Sequence, residues 1–386
     1  MTTFRFLVAR FLAQRLLTLA TVVTLAFTIG VLVAGPIYAD AAREAILASA
    51  LRGAAVTVRN LRLSVYGGPG FDLAGTDAEV AAALEPLPLR SLVREGLAEV
   101  RLAAGPRVLS APVLFRTGAA LHLDLRGRAP EGPGEVALPS STARRLRVRL
   151  GETLRALGPT GERTVLRVVG TFAPPDPRDP FWFGSGSPFP PPDSTSPSPA
   201  LVAPQAFPAV AGELGLTAMY AWDAYLALDG RPYEEVRTVP ARIAAAVRHL
   251  RGLPGLERLA TVTGLDTLME LVRQRVENLR APISLVVVQI AAVALAVLAG
   301  VASLALTRQA FELAVLHSRG FPRRALLSAQ AVQGALAALA ALPLGLAVGV
   351  GLARLASRSN GPGLPGVLFP VRLSPIAVAL AVGGCL

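Results

Sequence analysis

Residues 283–306 read ISLVVVQIAAVALAVLAGVASLAL, an uncharged stretch longer than the ~20 residues that an α-helix needs to cross a bilayer core. A second apolar run, residues 325–353, follows a short charged connector, TRQAFELAVLHSRGFPRR, at residues 307–324. An apolar helix, a charged turn and a second apolar helix predict a membrane hairpin. The connector is basic and amphipathic, and it is the part of the hairpin that we expect to carry the function.

The first 36 residues predict another membrane span. Arg5, Arg10 and Arg15 precede the uncharged residues 16–34, which favours a first transmembrane helix with its basic N-terminus in the cytoplasm. A cleaved signal peptide is the alternative, because small residues follow the apolar run at residues 38–41. The length of the run and the further apolar segments downstream favour the membrane anchor.

The C-terminal part of the chain predicts an incomplete fourth span. Residues 354–370 are rich in glycine and proline and predict an extracytoplasmic loop. Residues 371–386 then begin a new apolar run that is too short to cross a bilayer. We therefore expect the chain to be truncated at its C-terminus.

The composition excludes several classes of function. The 386 residues are 52% hydrophobic, and all 38 basic residues are arginine, so no lysine is available for a phosphate-binding loop or a Schiff base. The lone Cys385 and three scattered histidines predict neither a disulfide framework nor a metal site. Most of the net charge of +12 flanks the apolar segments, which favours contact with membrane lipid over nucleic acid. We expect no catalytic site and no cofactor.

Residues 37–282 predict a large α+β extracytoplasmic domain with helical stalks at residues 41–51 and 266–280. Within it we expect a helix at residues 77–104, capped by Asp77 and interrupted by two prolines. Residues 121–126 alternate as a half-buried strand that leaves His122 in solvent. Further strands are expected at residues 134–138, 164–172, 218–228 and 234–239, and a helix at residues 242–251.

Residues 173–208 are rich in proline and serine and predict a long flexible loop. Phe181-Trp182-Phe183 interrupts this polar tract, either as an anchor for a membrane or a partner, or as a segment that packs back onto the domain. Earlier in the domain, Arg144, Arg145, Arg147 and Arg149 form a basic run that we interpret as an exposed face, with anion binding as the alternative.

Two motifs carry a resemblance to a known family. Residues 308–320, RQAFELAVLHSRG, followed by Arg323-Arg324, are similar to the cytoplasmic loop between the second and third spans of FtsX-like permeases, the MacB-type and LolC/LolE-type membrane subunits of ABC transporters. Residues 134–172, GEVALPSSTARRLRVRLGETLRALGPTGERTVLRVVGTF, are similar to the MacB-like periplasmic core of the same family. The order of the motifs around the apolar segments also matches, and the resemblance covers nearly the whole chain.

The resemblance implies an α-helical integral membrane protein whose α+β domain is inserted between spans 1 and 2. It places the chain in a bacterial cell membrane, as a dimer or pseudo-dimer, beside a separate cytoplasmic ATPase that binds the ATP. His317 stands where the family more often has arginine. In the family the connector is a coupling helix on the ATPase, which makes the ATPase-binding residues here Arg308, Phe311, Glu312, Val315, Leu316, His317, Arg319 and Gly320.

Other functions remain open at this point. From its residues alone, the connector is equally compatible with an interfacial helix lying on lipid headgroups. A permease of this kind exports a lipid, peptide or drug or displaces a lipoprotein, whereas a regulator with the same layout passes force to an extracellular cell-wall hydrolase. A membrane sensor is the third hypothesis, but the sequence lacks the expected cytoplasmic signalling domain.

Overall fold

The computed structural model describes residues 15–359 apart from residues 177–178, 185–186, 191–193, 195 and 319–322; residues 308–318 and 323–330 are described by their backbone alone. The chain divides into two units. A helical unit contains Met1–Ser49 and Leu271–Leu386, and an α+β unit contains Ala50–Glu270. The predicted fourth span and residues 360–370 of the predicted loop before it lie outside the described residues.

Three long helices supply the helical unit: α1 (Arg15–Gly53), α8 (Leu265–Ser318) and α9 (Arg323–Ser359). Within the described residues, two segments are long and apolar enough to cross a membrane, Leu19–Gly53 and Gly334–Leu355, and a shorter apolar stretch, Val288–Val301, lies in α8. Helix α9 continues to Ser359, so the first residues of the predicted loop at 354–370 are helical.

The α+β unit contains ten strands in the described residues, in one connected sheet. In chain order its elements are α2 (Val56–Arg59), β1 (Leu61–Gly67), α3 (Leu73–Leu84), β2 (Leu89–Ala104), β3 (Arg107–Arg116), a 3₁₀ helix (Ala119–His122), β4 (Leu125–Gly127), β5 (Glu135–Pro139), α4 (Ser140–Leu146), β6 (Thr153–Leu157), β7 (Arg163–Phe172), a 3₁₀ helix (Pro180–Trp182), β8 (Ala200–Leu201), α5 (Phe207–Glu213), β9 (Ala218–Leu226), α6 (Tyr233–Val236), α7 (Val239–Arg251) and β10 (Ala260–Val262).

Strand β2 belongs to two parts of this sheet. Its first half pairs with β9 and continues an open antiparallel sheet in the order β10-β1-β9-β2. Its second half pairs with β6, where Leu102 lies opposite Ala156. Because β2, β3, β8, β5, β7 and β6 are each paired with the next, this contact closes a ring of six strands. The α+β unit therefore consists of an open sheet and a small closed barrel that share one strand.

The sequence prediction of a helix over residues 77–104 is wrong in its second half. Helix α3 ends at Leu84, and residues 89–104 form the long strand β2. Its alanine, leucine, glutamate and arginine residues are good helix formers, but β2 has strand partners along both edges, and pairing overrides propensity. The cap was also misplaced: Asp72, which accepts a hydrogen bond from the Gly75 N–H at 2.9 Å, caps α3 instead of Asp77.

Two shorter predictions also differ from the structure. Residues 119–122 form a 3₁₀ helix rather than the start of a strand. His122 is exposed, as predicted, and one face of its ring stacks on Phe181 at 3.8 Å. Residues 234–239 were expected to form a strand; instead residues 233–236 form helix α6 after Pro232, and α7 begins at Val239. In contrast, β5, β7, β9 and α7 lie close to their predicted positions.

The described parts of the proline-rich segment at 173–208 pack onto the domain, in contrast to the predicted flexible loop. The segment contributes β8 to the sheet between β3 and β5, and it buries Trp182 and Phe183 completely. Most residues of the segment are polar or proline and bury little apolar surface. The three aromatic side chains bury enough apolar surface to attach this part of the chain to the domain. Of the two interpretations of Phe181-Trp182-Phe183, the structure supports packing back onto the α+β unit.

Candidate functional site

The predicted coupling segment begins inside helix α8. Residues 307–318 continue the apolar stretch without a break, so the expected charged turn is a helix up to Ser318. The physical reason is that these residues contain neither glycine nor proline, whereas Gly320 and Pro322 follow directly. Arg308, Phe311, Glu312, Val315, Leu316 and His317 lie on this helix; Arg319 and Gly320 lie outside the described residues. Their binding role stays a prediction.

A second candidate site was not anticipated from the sequence: a row of four charged side chains across the sheet of the α+β unit. Arg62 on β1 lies opposite Asp223 on β9, and Glu95 on β2 lies opposite Arg116 on β3. Asp223 is in register with Val93, two residues before Glu95. Since residues two apart on a strand point to the same side, all four charges occupy one face of four adjacent strands.

These four side chains form a buried ion-pair network. Arg62 Nε and Nη2 donate to the two carboxylate oxygens of Asp223 at 2.5 and 2.7 Å. Arg116 Nη1 donates to Glu95 Oε2 at 2.6 Å, and its Nη2 lies 2.7 Å from Asp223 Oδ2. At most 7% of any of the four side chains is exposed. Two positive and two negative charges therefore compensate one another away from water.

The aromatic segment of the proline-rich tract covers this network. The Arg116 guanidinium lies 4.7 Å from the centre of the Phe181 ring, and the Arg62 guanidinium lies 4.7 Å from the centre of the Phe183 ring. Arg116 also donates to the Phe181 carbonyl, which accepts a further bond from the Tyr225 hydroxyl at 2.7 Å. Cation–π contacts and charge-assisted hydrogen bonds thus attach the segment to the charges beneath it.

Electrostatics in the network follow from burial. Burial raises the pKa of Glu95, and the neighbouring Arg116 and Arg62 only partly offset this effect. Burial lowers the pKa of Arg62, but its hydrogen bond to Asp223 and the charge of Glu95 outweigh that, so its net pKa shift is upward. Burial also raises the pKa of the Tyr225 hydroxyl to about 12, which keeps it protonated as a donor to the Phe181 carbonyl.

The contacts of the network attach the aromatic segment, Phe181-Trp182-Phe183, to the sheet. Both carboxylates are held by arginines, and within the described residues no group of three or more histidine, cysteine, aspartate or glutamate side chains is placed to hold a metal. The sequence contained a signal for it: Arg62 and Asp223 interrupt otherwise apolar strand patterns, LRLSV and YAWDAYL. A charge at an inward strand position implies a buried partner, but the partner is far away in the sequence.

Glycine residues bring helices α1 and α9 into close contact in the helical unit. A Cβ atom built on Gly345 would lie 2.8 Å from Ile29 Cβ and 2.9 Å from the Ala26 carbonyl, and one on Gly349 would lie 2.9 Å from the Gly30 carbonyl. Gly345 and Gly349 form a GxxxG pattern, which lets two helix backbones approach closely in membranes. This crossing buries Ile29 and Val33 of α1 against Ala341 of α9.

Comparisons with solved structures found extracytoplasmic domains of transport proteins. The chain is similar to the periplasmic region of MacB from Actinobacillus actinomycetemcomitans, at 11% identity and a TM-score of 0.33, over 57% of this chain and 95% of that one. It is similar to a domain of a putative permease protein from Porphyromonas gingivalis, at 14% identity and a TM-score of 0.31, over 54% of this chain and 90% of that one.

A further match is the extracellular domain of the noncanonic ABC-type transporter YknZ from Gram-positive bacteria, at 11% identity and a TM-score of 0.32, over 50% of this chain and 94% of that one. No family model and no curated protein matches the chain. The solved structures are of the MacB and permease type that the sequence motifs resemble. TM-scores this low support no conclusion about function. The function proposed below rests on the chain's own residues.

Proposed function

We propose that this chain is the membrane subunit of an ABC transporter of the FtsX-like type. In this proposal a separate cytoplasmic ATPase binds residues 308–320, and ATP hydrolysis moves the extracytoplasmic α+β domain through the transmembrane helices. The observation that carries the proposal is helix α8, which contains the predicted stalk, the apolar stretch and the first part of the coupling segment in one uninterrupted element, Leu265–Ser318.

A continuous helix is the element that this function needs. A break at residue 307 would let the coupling segment rotate independently of the apolar stretch, whereas a helix that runs through this residue transmits displacement along its axis. Pro282 lies where the stalk joins the apolar stretch, and α8 contains no proline after it. The order of the segments agrees with this role, because an α+β unit lies between the apolar helix α1 and the apolar part of α8.

The apolar stretch of α8 supports transmission of motion over conduction of a small solute. Residues 283–306 contain no charged side chain, and Gln289 is their one strongly polar residue. Intramembrane charges are the usual mark of an ion or solute pathway. In this proposal the motion acts at the extracytoplasmic domain, where it serves export of a lipid, peptide or drug or displacement of a lipoprotein.

Arginine distribution supports the orientation in which the connector is cytoplasmic. Arg308, Arg319, Arg323 and Arg324 all lie between the second and third apolar runs. Arg354 and Arg358 follow the third run and oppose this orientation, but they are fewer. By the positive-inside rule, the more basic loop faces the cytoplasm.

Co-purification with the cognate ATPase tests the proposal. The full chain is expressed with that ATPase, as the native sequence and with Glu312→Lys and Gly320→Leu combined, and both complex recovery and ATP hydrolysis are measured. The matched control carries Glu277→Lys and Gly300→Leu, the same changes on helix α8 outside the coupling segment. Glu277 is exposed, and a Cβ atom added at Gly300 meets no atom within 4 Å.

We expect the native chain and the control to recover the complex and the coupling variant to lose it. Equal recovery of all three, or failure of the native chain to bind any ATPase encoded with it, contradicts the coupling role. Loss of the complex in the control as well would show that the changes act through general disruption of α8, and would also count against a specific contact at residues 308–320.

A further inference from the structure

Positive charge in the α+β unit is concentrated in one segment. Residues 125–172 contain nine arginines and four glutamates, whereas the remainder of the unit, residues 50–124 and 173–270, contains more acidic than basic residues. This segment forms β4 to β7 and helix α4, and it supplies three of the six strands of the barrel, β5, β6 and β7. The excess positive charge of the unit therefore lies on this part of the barrel and the elements beside it.

Four of these arginines form an exposed run at the end of helix α4: Arg144, Arg145, Arg147 and Arg149. Between them, Leu146 and Val148 are buried, which directs the arginines outward. Arg147 has a left-handed backbone (φ 55°), and its N–H reaches the carbonyls of Ala143 and Arg144. The buried side chains and the left-handed residue together fix the direction of the run.

The charges of these four arginines are not compensated by ion pairs in the described residues, unlike the charges of several other arginines. Arg94 is paired with Asp77, Arg231 with Glu235 and Arg273 with Glu277. For the arginine run, the described residues include no carboxylate within ion-pair distance. Glu152 is near in sequence, but its carboxylate accepts a hydrogen bond from the backbone N–H of Arg149 at 2.8 Å and forms no ion pair with an arginine side chain of the run.

The arginine run leads into a shallow groove with a volume of about 470 Å³. Leu150 and Gly151 line it directly after Arg149, and Arg128 and Arg167 line it as well. Both of these arginines share one partner, Glu135, so the pair retains one uncompensated positive charge. About half of each guanidinium side chain remains exposed, at 46% and 57%, and free to contact a ligand.

We propose that the arginine run and this groove form one surface that binds a linear polyanion bearing phosphate groups. The planar guanidinium group donates paired hydrogen bonds that match phosphate oxygens. Each contact on an exposed surface is weak alone. Several contacts along one polymer reinforce each other because binding of the first phosphate raises the effective concentration of the next.

An open groove suits a chain that passes through it better than a single small anion, which binds in enclosed sites. The surface also differs from one that lies on a bilayer. Its intervening apolar residues, Leu146 and Val148, point inward, and Leu150 alone is a large exposed apolar side chain in the described part of the run and groove. Membrane-surface segments instead present a continuous apolar face.

The test measures binding of fluorescently labelled long-chain polyphosphate to the full chain in nanodiscs of zwitterionic lipid. One variant combines Arg144→Gln, Arg145→Gln and Arg149→Gln, leaving Arg147 and its backbone conformation unchanged. The matched control combines Arg90→Gln, Arg248→Gln and Arg258→Gln, three exposed arginines elsewhere in the α+β unit. Both variants remove the same charge. The change in tryptophan fluorescence on heating verifies that each variant is folded.

We expect the affinity for polyphosphate to fall about tenfold or more in the first variant and less than about twofold in the control, since each charge-assisted contact contributes on the order of a threefold or larger factor. Binding should also weaken as salt rises. If both variants lost the same affinity for polyphosphate, binding would depend on net charge alone, and the proposal would be overturned.

Two other results would also overturn it. One is that inorganic phosphate binds as strongly as polyphosphate at the same concentration of phosphate groups, because the linkage of the phosphates in a polymer would then not contribute to affinity. The other is binding of phosphatidylglycerol vesicles, lost in the first variant, without binding of polyphosphate; that result would identify the surface as a membrane contact. Failure of the ATPase experiment leaves this proposal unaffected, since it concerns only the α+β unit.

Discussion

Arg62 and Asp223 are 161 residues apart in the sequence, yet two hydrogen bonds of 2.5 and 2.7 Å join the Arg62 guanidinium to both carboxylate oxygens of Asp223. The pair links strand β1, at the start of the α+β unit, to strand β9 near its end. Through Arg116 the same carboxylate reaches β3 and the aromatic segment that covers the network. One buried aspartate therefore connects parts of the domain that are distant along the chain.

Replacing Asp223 with alanine should destabilise the domain by about 3–5 kcal/mol, because it leaves Arg62 and Arg116 buried without their shared counter-charge. The two tryptophans of the chain, Trp182 and Trp222, are both buried in this domain. Their fluorescence therefore reports its unfolding in the full-length protein, without isolating the domain. The measurement is the denaturant midpoint and slope in detergent.

The control for this prediction removes both charges of the pair at once. Arg62→Met combined with Asp223→Leu leaves neither charge of that pair uncompensated, and buried pairs replaced by apolar residues are often tolerated. We expect the double variant to lose less stability than Asp223→Ala alone. A larger loss in the double variant would mean that the pair contributes through its attraction, and not mainly through the penalty for breaking it.

Removing the Trp182 side chain should release the aromatic segment. Trp182 is fully buried and stacks edge-on against Phe181 and Phe189, so truncation to alanine should cost about 3–5 kcal/mol. Since Trp222 remains as the fluorescent reporter, unfolding can still be followed. The variant should also be cleaved by protease near residues 180–190 under conditions in which the native chain is resistant. Equal resistance would show that the segment is held by its other contacts.

The elements that were predicted well are those with strong local signals. Strands β5, β7 and β9 and helix α7 have turn or capping residues at their ends, and their apolar residues recur with the period of the element. The apolar runs in α1 and α9 were recognisable from length and hydropathy alone. These features depend on neighbouring residues, so a sequence without an alignment is sufficient to find them.

The missed features all depend on partners far away in the chain. Residues 89–104 became a strand because β3 and β9 pair with both of its edges. The polar and proline-rich composition of residues 173–208 indicated a loop, and its attachment depends on Arg62 and Arg116, which no local pattern connects to it. The predicted ATPase-binding residues are a different case, because they derive from a family resemblance and their side chains lie outside the described residues.

Glu135 should make the stability of the barrel sensitive to acid. Its hydrogen bond with Arg128, assisted by backbone N–H groups and Arg167, holds the pKa of this carboxyl far below its usual range. A carboxyl with a lowered folded-state pKa stabilises the fold above its unfolded pKa of about 4.3, and this contribution is lost as the pH falls toward the folded-state value. The expected result is a Tm difference between the native chain and Glu135→Gln that is largest near neutral pH.

The measurement is Tm from tryptophan fluorescence between about pH 7 and pH 3, a range that brackets the ordinary glutamate pKa. The Tm difference between the native chain and Glu135→Gln should shrink as the pH falls. Glu79→Gln is the control, since Glu79 is an exposed glutamate on α3. A difference that is constant with pH would mean that Glu135 acts through packing or through its neutral hydrogen bonds.

A methyl group at Gly345 should separate helices α1 and α9. The added Cβ would lie 2.8 Å from Ile29 Cβ and 2.9 Å from the Ala26 carbonyl, and because the second of these is a backbone atom, relief requires a shift of the helix. Overpacking of this kind costs about 1–3 kcal/mol. Gly351→Ala is the matched control on the same helix, because a Cβ there meets no atom within 4 Å.

Size-exclusion chromatography after heating in detergent measures the temperature at which the monodisperse protein is half lost. That temperature should fall for Gly345→Ala and stay unchanged, or rise slightly through the higher helix propensity of alanine, for Gly351→Ala. If both variants behave like the native chain, the close approach of the two helices does not determine the stability of the helical unit, and the glycines at the crossing serve some purpose other than packing.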